Sequence, residues 1–200
     1  MVRERLRIAI RNAGALQKIA ALEPLSWLER QRLKIKLGLN PFTTWVSEDQ
    51  PHYLMSHAYP ETRRVHIAED TPAAIEAHEL GHITHKDNPL ESALLGMGGF
   101  ATIGNILPSL MVASTDPHSP YSKYAPALGG VLALPKLINE AIASYRGAKA
   151  LKEIRPDEPL LPLIMAQLTY PLGTLPLSMG APYLLRKQKL KALKGGDKNE

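Results

Sequence analysis

The sequence predicts a mainly α-helical chain with one small strand element and a pair of apolar helices inserted as a hairpin in its middle. Three observations carry that reading. Apolar/polar alternation marks a short strand over 62–68, whereas helical spacing or unbroken apolar character dominates the longer segments. The turn-prone pairs Asn40-Pro41, Gln50-Pro51 and Tyr59-Pro60 break up 38–61. The runs 92–115 and 124–135 carry no charged side chain and are separated by the short segment 116–123.

Composition narrows the chemistry. At 200 residues, 44% hydrophobic and 22% charged, the chain is long and apolar enough to build a core and is no disordered tail. It has no Cys, which excludes disulfide scaffolds, thiolate zinc ribbons and cysteine nucleophiles. The formal charge of +5 is segregated: 1–37 carry +6, 186–200 carry +4, and the body between them −5. Nucleic-acid binding would ask for cations interleaved with stacking aromatics over one folded face, but the basic ends carry a single aromatic, Trp27. No nucleic-acid partner is expected. Basic flanks beside apolar runs suit contact with anionic lipid instead.

Taken in order, 2–22 lacks the uninterrupted apolar core of a signal peptide and reads as a basic amphipathic helix, with Arg3, Arg7, Arg11 and Lys18 on one stripe. Pro24 ends it, and 25–37 continues in the same style, giving a basic N-terminal region over 1–37. In the strand at 62–68, Val65 and Ile67 face one way and Arg64 and His66 the other. Thr71-Pro72 then starts a helix, with Thr71 as N-cap, Pro72 at the first helical position and Glu69 and Asp70 at the positive end of the dipole. That helix should run to about His85 and stop before Asn88-Pro89.

Beyond it the chain turns apolar. A helix over 92–115 would be about 36 Å long against a hydrocarbon layer of about 30 Å. The expected hairpin therefore runs out along 92–115 and back along 124–138 as membrane-spanning helices. A third uncharged run, 159–185, carries five prolines, and Pro171 with Gly173 suggests a broken, re-entrant hairpin before the basic tail.

The chemistry is concentrated in His78-Glu79-Leu80-Gly81-His82. On a helix, residues four apart share a face, so two imidazoles can approach one metal ion while Glu79 reaches a metal-bound water. Imidazole nitrogen suits Zn²⁺, and a catalytic site takes three protein ligands and one open position. His85 lies about 10 Å along the axis from His78, too far to share the ion, and reads as a helix-end residue. His52, His57, His66 and His118 lack ligand spacing, with His66 the best placed to line a cleft. Glu140 is the third ligand expected. It emerges directly from an apolar run, where an unpartnered carboxylate would be costly, and its neighbours Ala141, Ala143 and Ser144 are small enough to pack against the His helix.

His78 to His82 followed by Glu140-Ala141-Ile142-Ala143-Ser144 resembles the membrane-associated gluzincin peptidases, the HtpX, YugP and CAAX prenyl endopeptidase kind, over about 62–150. The resemblance implies a zincin-like metallopeptidase fold in which His78, His82 and Glu140 bind zinc and Glu79 is the general base. Ser144 stands where many members carry Asp, and a serine orients a ligand histidine more weakly. Cytosolic repressor-cleaving proteases of the ImmA/IrrE type share the His helix but lack long apolar inserts. The 58 positions between His82 and Glu140 favour the membrane kind.

The expected organisation is then a basic region over 1–37, a catalytic region over 38–158 with its apolar hairpin at 92–138, and an apolar segment with a basic tail over 159–200. The expected activity is zinc-dependent endopeptidase action on a protein or peptide substrate at or in a membrane, with lipids as partners and the site on the cytoplasmic side. The strand at 62–68 is expected to bind that substrate in extended form. The alternatives are a soluble ImmA/IrrE-like protease in the cytoplasm and a non-catalytic metal-binding scaffold.

Overall fold

The structure, a computed structural model, describes residues 23–52, 55–97 and 99–196. The basic helix expected over 2–22 lies outside the described residues. The elements are α1 (Trp27–Lys36), β1 (Trp45–Glu48), β2 (His57–Tyr59), β3 (Arg64–Ile67), α2 (Ala73–Ile83), α3 (Pro89–Gly96), α4 (Gly99–Ser114), α5 (Pro120–Ile154), α6 (Leu161–Leu175) and α7 (Ala181–Gly196). The protein is mainly helical with a small three-stranded sheet. It divides into two compact units: the described residues to Thr84 with Ser144–Leu163, and His85–Ala143 with the described residues from Ile164 onward.

In the first unit, α1 opens with a capping box. The Ser26 hydroxyl accepts from the Glu29 amide and the Glu29 carboxylate accepts from the Ser26 amide. Gly38, at φ 73°, turns the chain out of α1. The sheet order is β1-β3-β2, with β1 parallel and β2 antiparallel to β3. The alternation read from sequence holds: Val65 and Ile67 are buried while Arg64 and His66 point outward. β1 and β2 were not expected, because each is only three or four residues long and lies among the prolines of 38–61. The substrate role given to 62–68 needs correction, since β3 is the central strand and both its edges are already paired.

Leu33, Leu80, Ile83 and Leu151 join Val65 and Ile67 in the core of this unit, each contributing about 1.5–3 kcal/mol by leaving water. Thr71 does not cap α2. Pro72 is the capping residue, and the buried Thr71 hydroxyl instead accepts from the Ala68 amide, closing the turn out of β3. α2 passes into a 3-10 turn over Thr84–Asp87, so the helical stretch does stop before Asn88-Pro89.

In the second unit, α4 and the first part of α5 form the two legs of the inserted hairpin, joined by a short connection over 115–119. The membrane-spanning character expected of them is not found: no helix among the described residues is long and apolar enough to cross a membrane. The run 92–115 divides at Met97 into α3 and α4 of 8 and 16 residues, and 16 residues reach only about 24 Å. α5 is 35 residues long but carries Lys123, Lys136 and Glu140. The orientation drawn from loop charges falls with the spans. Nor does the chain reverse at Pro171-Gly173. α6 runs through Pro171 and passes by a π-helical turn, Pro176–Gly180, into α7, with helical torsions at Leu175 and Ala181.

Candidate metal centre

α2 and α5 bring His78, His82 and Glu140 together. One ligand-type atom from each lies within 4.8 Å of the others, with His78 buried and the other two half-buried. The four-residue spacing of the histidines stacks their rings edge to face with centroids 4.7 Å apart and sets the two Nε2 atoms 3.3 Å apart. Two nitrogens bound to one tetrahedral ion at about 2.0–2.1 Å are separated by about 3.3–3.4 Å. The histidine pair is therefore spaced as two corners of such a tetrahedron.

Ser144 sits one helical turn beyond Glu140 on unbroken α5, hence on nearly the same face. Its Oγ lies 2.8 Å from His78 Nδ1, with both side chains buried. For His78 to present a lone pair at Nε2, its proton must be on Nδ1, where it donates to Ser144 Oγ. The same register that seats Ser144 on His78 delivers Glu140. Arg146 adds a second tie, donating at 2.7 Å to the hydroxyl of Thr84, which donates in turn to the Gly81 carbonyl.

Gly147 completes the approach of the helices. A Cβ there would lie 2.6 Å from the Ala77 carbonyl carbon and 2.8 Å from the His78 nitrogen, distances side chains do not tolerate. In the sequence, Ala143, Gly147 and Ala150 put a small residue at each turn of one face of α5. That is a pattern that signals close helix packing.

On the opposite side of α2, Glu76 is fully buried and takes Arg30 Nε at 2.5 Å, while Arg30 also reaches Glu48 at 2.8 Å. Burial pushes the Glu76 carboxyl above the usual carboxylate range, and Arg30 opposes that shift. Lys34, also buried, donates to the Thr44 carbonyl at 2.8 Å, and burial lowers its ammonium. The back of the His helix is thus anchored to α1 by charge, which no sequence pattern announced.

Glu79 is buried on α2 beside His78, with 6% of its surface exposed. His85 stays outside the group. It lies on the 3-10 turn with Nδ1 3.0 Å from Glu91, whose other oxygen accepts from Asn88. His66 pairs with Asp49 at 2.7 Å and stacks on His57 at 5.2 Å. His57 Nδ1 lies 2.8 Å from the Met55 carbonyl. Compared with models of protein families, with curated proteins and with solved structures, the chain matches none.

Proposed function

We propose that the protein is a zincin-like, zinc-dependent endopeptidase, in which His78, His82 and Glu140 hold the metal and Glu79 is the general base. The observation that carries this reading is the 3.3 Å separation of the His78 and His82 Nε2 atoms with a carboxylate in the same group. Two imidazoles and one carboxylate are a donor set suited to Zn²⁺ with a position left open. The metal, when bound, supplies an activated water and polarises the scissile carbonyl. The chain's own residues do the rest. Ser144 fixes the His78 tautomer, and Glu79 takes the water's proton and returns it to the leaving amine.

The peptide would lie extended along β2, the sheet edge that packs against α2, rather than along β3. Incubation with an unstructured protein such as casein, followed by product mapping, tests the activity. Cleavage by the zinc-loaded wild type and none by Glu79→Gln supports the reading, and equal cleavage by both defeats it.

A further inference from the structure

The second unit is packed with its polarity reversed. Among the described residues its buried positions are small or polar, Ala125, Ala133, Ser122, Asn139 and Ser178 among them, with Val112 the largest apolar one. Its helices meet through glycine. A Cβ at Gly104 would fall 2.8 Å from Leu132 Cβ, and one at Gly129 would strike the Ser178 carbonyl. The large aliphatic side chains point outward instead. On α4, Ile103, Ile106, Leu107 and Leu110 recur at helical spacing on one face and line a shallow apolar groove with Thr102. On α6, Ile164, Met165, Leu168 and Leu172 form a second stripe, with Leu172 71% exposed. α5 adds Val131 and Leu134.

In water each such side chain forgoes the free energy of burial, and a water-soluble helix turns these faces inward. Large apolar residues outside with Gly, Ala and Ser at the contacts is how helices pack where the surroundings are themselves apolar. Charge says which apolar surroundings. Residues 181–196 carry five cations and no acid. Two of them work at one end of the unit, Arg186 donating to the Pro117 carbonyl and Lys189 to the carbonyls of Val112, Ala113 and Thr115. Exposed Tyr121 and Tyr124 stand close by in sequence, with Lys123 5.3 Å over the Tyr124 ring. Cations and tyrosines bordering aliphatic faces match the level of phospholipid headgroups.

We propose that the second unit docks on an anionic phospholipid membrane, sinking the aliphatic faces of α4 and α6 into the acyl layer with no helix crossing it. This does not depend on the metal centre. The test is flotation of the full-length protein with phosphatidylcholine vesicles, with and without phosphatidylglycerol, together with sedimentation velocity without lipid. Wild type should float with the anionic vesicles and stay bound in high salt, because apolar burial is not screened. Leu168→Glu/Leu172→Glu should fold normally by circular dichroism and bind about a hundredfold more weakly. Lys187→Gln/Lys191→Gln/Lys194→Gln should lose the preference for anionic lipid. Release of wild type by salt alone overturns the insertion. So does failure to float together with a monomer in buffer. A dimer in buffer that the two glutamates dissociate, with no vesicle binding, would show that a second copy covers these faces.

Discussion

Gly147 of α5 lies against the peptide nitrogen of His78 so closely that even a methyl group between them would sit 2.8 Å from that nitrogen. This contact fixes how near α5 comes to the His helix. Gly147→Ala is therefore expected to push the helices apart, costing about 1–3 kcal/mol of stability and loosening the three-residue group. Thermal denaturation and zinc titration of the variant check both effects, and unchanged values in both would show that the helices yield freely.

Ser144→Ala removes the partner of His78 Nδ1 while leaving the side chains of His78, His82 and Glu140 in place. Zinc affinity is expected to fall about 10–100-fold with little change in melting temperature. Ser144→Asp should restore affinity, since a carboxylate accepts the same N–H more strongly. Competition titration with a chromophoric chelator measures all three proteins.

Arg30→Met should be among the most damaging substitutions remote from the metal centre. It leaves the fully buried Glu76 without the guanidinium that now meets it, and stranding a buried charge costs about 3–5 kcal/mol. Arg30→Met/Glu76→Met should recover much of that loss, because the stranded charge goes with its partner. Chemical denaturation of the two variants reads the difference.

Glu29 links stability to pH. Arg155 clasps it through two hydrogen bonds of 2.7 Å, and Arg155 and Ser26 hold the carboxyl down to about 2. The folded state thus prefers Glu29 ionised. The stabilisation is full above the ordinary value of 4.5 and is lost as pH falls through that value toward 2. Glu29 is partly exposed, so the effect is modest, about 1–2 kcal/mol. Arg155→Gln should flatten the stability profile across this window, read by urea denaturation at several pH values.

What the sequence disclosed follows from the range of the forces involved. Local patterns were legible: the alternation that buries Val65 and Ile67, the four-residue spacing of His78 and His82, and the stop at Asn88-Pro89. Glu140 was legible because a carboxylate at the end of an apolar run calls for a partner. The edge strands β1 and β2 were not, since strands of three or four residues are made by pairing with β3 rather than by their own pattern. The Arg30–Glu76 pair spans 46 positions and leaves no periodic trace. The membrane spans were misjudged because charge-free length is not helix length, and Met97 ends α3 partway through the run.

Metal content by elemental analysis of the purified full-length protein decides whether His78, His82 and Glu140 act together as one zinc site. About one zinc per chain is expected in the wild type and in Glu79→Gln, and loss of zinc in His78→Ala, His82→Ala and Glu140→Ala. A wild type without zinc after reconstitution, or a Glu140→Ala variant that keeps its full complement, would contradict it.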